Sequence, residues 1–439
     1  MYTRPMNPPP RANGSPRLGK IDRWLVNYLT FCTAMFVVSY ILAYIWNYDN
    51  MFRITSMVLA ATVLLKALMV PSPRNGMSGR ASVMMALFCA VALFNSLVSL
   101  IPVETSLRWI LWLGIVFCFY RVAGNADGSW TRAVINRLPF FFAVLYATII
   151  VVIKFVTNDD VIRLAYHLSG LYGNLILASG LFATQFWQRI TWSAFGLIAI
   201  FFSGAGGALF TIPIMFVPYI LYSASSVPVK GIAVAMLITV GGSIFFESQL
   251  FGRFLDIKLN ISAADSGTSS GMERLERSKD MRLALAQYGL ALAWSTPLGT
   301  GLGHTYKDEV SRLYLVPHVH NGTISTLIEL GFPGFFVVAS LMIWMLWTIL
   351  RDNAIETQLK GFYFTYCFTI FGRSLSENYA PFDLGNFFIF VFLLFSIRFF
   401  LTKQHQVEQN RRPAYPPPPR MMMRPFAARP PMPRPLQVR

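Results

Sequence analysis

The sequence predicts an all-α integral membrane protein with about twelve transmembrane helices and one long outer loop that itself contains helices. Of the 439 residues, 55% are hydrophobic and only 13% are charged, with a mean hydropathy of +0.50. Soluble domains carry about a quarter charged residues. Long apolar runs recur along almost the whole chain. Because the strands of outer-membrane barrels alternate over only about ten residues, continuous runs of this length indicate helices.

Twelve apolar runs define the predicted spans, and the seventh and eighth share one stretch that SGAGG at 203–207 interrupts. The spans lie near 24–46, 54–72, 81–101, 107–120, 138–156, 171–187, 190–202, 205–222, 231–247, 335–350, 360–373 and 386–402. A polar head of more than twenty residues precedes the first run. Since that run is itself long enough to span a bilayer, we expect no cleavable signal peptide.

The position of the charges predicts the orientation of the chain. Much of the formal net charge of +17 lies in the two tails and in every second connection between spans, so it does not indicate nucleic-acid binding. The alternate connections hold acidic residues: Asp49, Glu104, Asp159, Asp160, Glu377 and Asp383. By the positive-inside rule, and with an even number of spans, both termini are expected in the cytoplasm.

This topology divides the chain into five parts. They are a basic cytoplasmic tail (1–23), spans one to nine (24–247), the long outer loop (248–334), spans ten to twelve (335–402) and a Pro- and Arg-rich cytoplasmic tail (403–439). The last tail cannot build a core and is expected to be disordered. The four cysteines fall inside apolar runs, where they are expected to act as small hydrophobic residues rather than as a disulfide or metal set.

The long outer loop holds an unusual share of the charged residues and three of the five histidines. Long structured loops between spans usually have a function. Residues Met272–Ser295 predict a helix from the spacing of their apolar positions. Arg274 and Arg277 are expected to pair with neighbouring acids on a solvated face. Arg282 stands where the helix turns apolar, so it is the better candidate for binding an anion such as phosphate.

Two further stretches of the loop carry candidate site residues. PLGTGLGH at 297–304 predicts tight turns, and because no strand precedes it we reject a dinucleotide site. His318 and His320 are two positions apart, which is not the spacing of a helical metal pair. His320 precedes the predicted helix Gly322–Leu330, whose positive dipole end lowers the pKa of a histidine and keeps it neutral, as a general base requires. His318 is either an interfacial side chain or a supporting partner.

From Arg282 to Gly334 these residues resemble the O-antigen ligase and Wzy-type polysaccharide polymerase family of bacterial envelopes. The resemblance consists of Arg282, then PLGTGLG at 297–303 with Gly299 one place early, then His320–Asn321, then ELGFPG at 329–334. GLYGNLILASG at 170–180 is similar to an asparagine-and-small-residue span of the family. RSLSENYAPFDLGNFF at 373–388 resembles a segment of its exopolysaccharide polymerase branch. One departure is Gly204, because the family often has arginine after the serine at this point.

The resemblance implies a metal-independent glycosyltransferase without cofactor in the bacterial inner membrane, with the outer loop in the periplasm. It would join oligosaccharide repeat units carried on undecaprenyl pyrophosphate into an exopolysaccharide or O-antigen. His320 would take the proton of the acceptor hydroxyl. The donor pyrophosphate would be neutralised by Arg282, helped by Arg253 or Arg373. The expected supporting residues are His318, Asn321, Glu329 and Glu377. The expected partners are the lipid-linked oligosaccharide and the bilayer, with a chain-length regulator or flippase of the pathway left open, and no nucleic acid.

Two alternatives remain open. An O-antigen ligase would transfer the glycan to lipid A–core and would share the same motif. A flippase or other transporter would place ionisable groups near the bilayer midplane and often shows internal repeats. Here Lys66 and Lys154 lie near span ends, and we see no repeat. The sequence does not decide the sugars, the linkage, the polymer length or the oligomeric state.

Overall fold

The computed structural model describes most of the membrane-spanning part of the chain and a portion of the outer loop. The described residues are 18–46, 50–73, 77, 79–155, 159–203, 206–222, 231, 234–235, 271–304, 321–353, 355–376 and 387–401. Among them there is no β-strand, and twelve α-helices account for most positions. The protein is therefore all-helical over this part, as predicted.

The helices follow the apolar runs closely. In chain order they are α1 (Lys20–Trp46), α2 (Asn50–Met69), α3 (Gly79–Val98), α4 (Pro102–Ala123), α5 (Trp130–Phe155), α6 (Asp159–Leu181), α7 (Phe186–Phe202), α8 (Gly206–Tyr222), α9 (Gly271–Ser295), α10 (Gly322–Arg351), α11 (Thr357–Ser376) and α12 (Phe387–Ser396), which continues as a π-helical turn, Ile397–Leu401. α6 begins and ends earlier than the sixth predicted span, 171–187, and α10 begins before the tenth, 335–350, because it also includes the predicted loop helix Gly322–Leu330. The seventh and eighth spans are separate helices, as predicted.

Length and composition identify the membrane spans. Within the described residues, five helices are long and apolar enough to cross a bilayer, namely α1, α3, α4, α5 and α10. Shorter apolar helices occur in α2, α7, α8 and at Ile389–Leu401. The chain is a multi-pass membrane protein. The number of twelve spans stays a prediction, since the ninth, 231–247, lies largely outside the described residues.

Aromatic side chains at the centre of the bundle join its first half to its last helices. Phe142 on α5 lies 6.1 Å from Tyr172 on α6, 6.3 Å from Tyr366 on α11 and 5.7 Å from Phe387 on α12, measured between ring centroids. All four side chains are buried. Ring pairs at such separations add to the free energy of burial, so this cluster is a major part of the packing that holds helices distant in sequence together.

Hydrogen bonds between helix ends show which connections share an end of the bundle. One end, here named the site end, is defined by three bonds: Leu100 N to Thr300 O (3.0 Å), Asn321 Nδ2 to Leu375 O (3.2 Å) and Arg373 Nη2 to His167 O (3.1 Å). They join the α3–α4 connection, the start of α10, the end of α11 and the first half of α6. The charge pattern of the sequence predicts that all of these lie on the outer side.

The opposite end, here named the basic end, is held by a buried carboxylate. Asp22, near the start of α1, accepts hydrogen bonds from the backbone N–H groups of Gly128 (3.1 Å) and Trp130 (3.2 Å) and from Ser129 Oγ (3.1 Å). It therefore caps the start of α5, where backbone N–H groups lack partners within the helix. Arg121 Nε donates to Val70 O at 2.8 Å on the same end. Alternate connections thus meet at opposite ends, as an up-and-down membrane bundle requires.

Candidate active site

The glycine-rich segment Pro297–His304, here named the glycine loop, joins two distant parts of the outer loop. Gly299, Gly301 and Gly303 have φ angles of 93°, 104° and 86°, which are left-handed conformations that favour glycine. The loop leaves the end of α9 and lies against α10. Its backbone bonds to α10 are Thr300 N to Ile328 O (3.0 Å), Gly301 N to Glu329 O (3.0 Å) and Phe332 N to Pro297 O (2.9 Å).

The glycine loop lies where α10 is broken. Gly331 has φ 68° and ψ 174°, which is not helical, and Pro333 follows two residues later. Proline has no N–H, so the carbonyl of Glu329, four residues before Pro333, has no donor within the helix. The N–H of Gly301 supplies that donor at 3.0 Å. The motif ELGFPG therefore interrupts the hydrogen bonding of the helix, and the backbone of PLGTG supplies hydrogen bonds at the interruption.

The contact between the loop and the broken helix admits no side chain. A Cβ atom added to Gly299 would lie 2.5 Å from Gly331 N and 2.7 Å from Glu329 O. Both neighbours are backbone atoms, which cannot move aside by changing a rotamer. Gly299 and Gly331 are thus required by the close approach of the two backbones as well as by their own φ angles.

Asn95 in α3 holds this assembly from inside the bundle. Its side chain is fully buried. Nδ2 donates to Glu329 O at 2.9 Å, while Oδ1 accepts from Trp109 Nε1 at 3.0 Å and from Leu302 N at 3.2 Å. One amide therefore connects α3, α4, the glycine loop and α10. A buried amide without partners is costly, so an asparagine inside an apolar run was the available signal for this role.

Two hydroxyl groups of the α3–α4 connection complete the attachment of the loop. Ser99 Oγ donates to Thr300 O at 3.2 Å and lies 2.7 Å from Thr105 Oγ1. The side chain of Thr105 is fully buried. Sequence reasoning missed Asn95, Ser99 and Thr105, because each lies nearly 200 or more positions before the loop that it holds.

Asn321 begins α10 and links it to α11. Its Oδ1 accepts from the backbone N–H groups of Thr323 and Ile324, both at 3.0 Å, which is an N-cap. Its Nδ2 donates to Leu375 O at 3.2 Å. The predicted start of this helix at Gly322 is confirmed. Both His320 and His318 lie outside the described residues, but the position where the chain enters α10 is set by Asn321, the residue after His320.

Arg373 lies beside the same contact. Its side chain is fully buried, and Nη2 donates to the backbone oxygen of His167 on α6 at 3.1 Å. It is two residues from Leu375, the carbonyl that Asn321 contacts. The structure therefore brings Asn321 and the Arg373 turn together at the site end. Glu377, four residues after Arg373, lies outside the described residues.

The structure describes the other predicted site residues, Arg282, Glu329 and Arg253, only in part. Arg282 lies on α9, three residues before Leu285, whose buried side chain packs with Ala293 against Leu327 and Ile328 of α10. Glu329 contributes its backbone oxygen to the loop contact, while its side chain is partly exposed. Arg253 lies outside the described residues. Helix α9 is thus attached to the same part of α10 as the glycine loop.

Asn174 occupies the small-residue span that the sequence singled out. It is fully buried on α6, and its Nδ2 donates to Ala208 O on α8 at 2.9 Å. This bond lies near the interruption between α7 and α8 that follows Ser203. Asn174 therefore fastens α6 to α8.

A family model matches the part of the chain that contains the glycine loop and the break in α10. Residues 191–339 match the family model described as O-antigen ligase. The matched range contains most of α7, all of α8, α9 and the glycine loop. It also contains the first part of α10, from its start to a point past the break at Gly331. No curated protein matches the chain.

Proposed function

We propose that the chain, whose residues 191–339 match the family model described as O-antigen ligase, is a membrane glycosyltransferase that polymerises lipid-linked repeat units. The donor is an oligosaccharide on undecaprenyl pyrophosphate, and the product is an exopolysaccharide or O-antigen. The observation that carries this proposal is the interlock of the glycine loop with the break at Gly331. Two motifs about thirty positions apart form one unit, and His320, the residue expected to act as base, precedes in sequence the helix that carries the break.

The arginines of the site supply charge for the donor. A pyrophosphate leaving group carries negative charge that grows as its bond to the sugar breaks, and guanidinium groups stabilise such charge through paired donors. Arg282 on α9 and Arg373 at the end of α11 are both on elements attached to α10 or its cap. Arg253 is the third candidate. Helix α9 would thus present Arg282 to the donor.

His320 is the proposed general base. The acceptor hydroxyl oxygen attacks the anomeric carbon of the donor, and its proton passes to the neutral imidazole of His320. The bond between that carbon and the phosphate oxygen breaks, and undecaprenyl pyrophosphate leaves with the bonding electrons. Asn321 supports this role by starting α10 directly after His320, because the positive end of a helix dipole disfavours a charged imidazole. His318, Glu329 and Glu377 are proposed as supporting residues.

The scheme uses no metal and no cofactor. Once its charge is neutralised, a pyrophosphate is a good leaving group, so the arginines do the work that a divalent cation does in many sugar transferases. The reaction is placed at the periplasmic face of the inner membrane with both termini in the cytoplasm. The positive-inside pattern and the gathering of the predicted outer connections at the site end support this placement.

A ligase is the second candidate, because the matched family is described by that activity. The donor chemistry would be the same, and only the acceptor would change, from a lipid-linked repeat unit to lipid A–core. The described residues on the donor side therefore do not separate the two activities.

Deletion of the gene separates them. Loss of a polymerase should remove high-mass glycan and leave single repeats, whereas loss of a ligase should leave polymer stranded on undecaprenyl pyrophosphate. Unchanged glycans together with failed transport of a solute would refute the enzyme proposal. Complementation with His320→Ala should restore no product although the protein inserts normally. His318→Ala is the matched control, and the opposite result would mean that His318 is the base.

A further inference from the structure

Helix α9 has two halves of different character. Its first half, up to Arg282, holds acidic and basic residues at seven positions, and then the sequence contains no Asp, Glu, Lys or Arg until Lys307. The second half, Leu283–Ser295, is an uncharged helical segment. A helix on the surface of a soluble loop normally keeps charged residues on its solvent side. This half does not, so its outer face requires another explanation.

The second half of α9 is apolar on two opposite faces. One face is buried against α10 through Leu285 and Ala293, at 0% and 1% exposure. The other carries Leu283, Leu290 and Trp294, which are 58%, 43% and 72% exposed. Residues seven and eleven positions after Leu283 return to the same side of a helix. The exposed side chains therefore form one apolar stripe facing away from the protein.

This stripe is continuous with the exposed apolar face of α10. The ring of Trp294 lies 4.9 Å from that of Phe332, which in turn lies 6.4 Å from that of Phe336. Phe336 and Ile343 are 61% and 68% exposed on a helix that is long and apolar enough to span the membrane. Exposed residues seven apart on such a helix face lipid. The stripe of α9 extends this lipid-facing surface at its outer end.

The glycine loop shows how deep α9 lies. The loop follows α9 directly and is bonded to the α3–α4 connection through Leu100 N and Thr300 O at 3.0 Å. Next to that connection, Val103 and Leu107 on α4 are 73% and 62% exposed. Apolar side chains so exposed at a span end belong in the interfacial region of a bilayer, where Trp is also enriched. The C-terminal end of α9 is therefore at the same level.

We infer that Leu283–Ser295 is an interfacial helix whose stripe of Leu283, Leu290 and Trp294 inserts into the outer leaflet, at the boundary of head groups and acyl chains. Such helices bury an apolar face in this boundary. Arg282 ends the charged half and so lies at the level of the lipid phosphates. That is also the level of the pyrophosphate of a membrane-bound donor. The role of Arg282 rests on the proposed function, but the insertion of the helix does not.

Spin labelling of the full-length protein in lipid bilayers tests this inference. A nitroxide is attached at Leu290→Cys in a variant whose native cysteines are replaced, and its collisions with oxygen and with a water-soluble nickel complex are measured. Ile343→Cys on α10 is the lipid reference, and Asp127→Cys on the basic end is the aqueous reference. We expect the label at Leu290→Cys to collide more often with oxygen than with the nickel complex. The ratio of the two collision rates should approach the ratio measured at Ile343→Cys.

Two results would overturn the inference. Access to the nickel complex equal to that of Asp127→Cys would place the stripe in water, and low access to both reagents would mean that protein covers it. Neither readout depends on activity, so a failure of the proposed function leaves this test intact. In the functional arm, Leu290→Glu should lower product formation in membranes while Leu290→Met preserves it. Normal activity of Leu290→Glu would show that insertion does not serve the reaction.

Discussion

The two ends of the bundle are fastened by different kinds of group. At the basic end a carboxylate, Asp22, caps α5 and joins it to α1. At the site end the described bonds between the glycine loop and its surroundings come from backbone groups and from the neutral side chains of Asn95, Ser99, Thr105 and Thr300. This difference bears on the proposed site for a charged lipid. Neutral amides and hydroxyls hold the glycine loop, Arg373 donates to the backbone oxygen of His167, and Arg282 and His320 are the residues proposed for the donor and the acceptor.

The largest expected effect comes from filling the contact between the two backbones at the site end. Gly299→Val places carbon atoms within 2.7 Å of the backbone of α10, at a residue with φ 93°. We expect the loop to detach and the polymer to disappear, measured by gel analysis of surface glycan. Gly114→Ala on α4 is the control, because a Cβ there meets nothing within 4 Å. Normal polymer from Gly299→Val would show that the interlock is not needed.

Removing the central amide is expected to come next. Asn95→Leu removes the acceptor of Leu302 N and of Trp109 Nε1, and one of the two donors to Glu329 O. Each buried polar group left unsatisfied costs about 1–3 kcal/mol, and we expect activity per inserted molecule to fall by about tenfold or more. Thermal unfolding in detergent and product formation measure the two effects. Thr148→Val, which removes only a bond within its own helix, is the control. Loss of stability with full activity would contradict a role in shaping the site.

Breaking the cap at the basic end should separate stability from activity. Asp22→Ala removes the acceptor for Gly128 N, Ser129 Oγ and Trp130 N. Loss of a helix cap costs about 1–2 kcal/mol, so the unfolding temperature in detergent should fall. Product formed per folded molecule should stay near that of the native protein, because the proposed donor site is at the other end. Activity that falls further than the folded fraction would mean that the two ends are coupled.

The smallest effect is expected from the exposed ion pair of the basic end. Arg132 Nη2 and Glu356 Oε2 are 2.5 Å apart, with side chains 65% and 42% exposed. Exposed pairs contribute about 0–1 kcal/mol, so Arg132→Gln should leave both the unfolding temperature and the polymer nearly unchanged. A shift as large as that of Asp22→Ala would indicate that exposed charge pairs also fasten this end.

Much of the helical pattern was predictable because it depends on local properties. The start of α10 after Asn321 follows from a short polar side chain that caps the helix, and the break before Pro333 follows from a residue without an N–H. The glycines of PLGTGLG predicted tight turns, which their positive φ angles confirm. The roles of Arg282, Arg253, Arg373 and His320 stay predictions, since the geometry of a bound donor is needed to test them.

The sequence by itself determined that this protein is helical and membrane-embedded, because apolar runs, glycine and proline act over a few residues. Only the tertiary structure decided that Asn95 binds the carbonyl of Glu329, 234 positions away. It also decided that the glycine loop fills the break in α10. The local sequence shows that a buried amide, or a carbonyl that lacks a donor within its helix, needs a hydrogen-bond partner. Which partner it finds depends on how the helices pack, and that is decided by the whole chain at once.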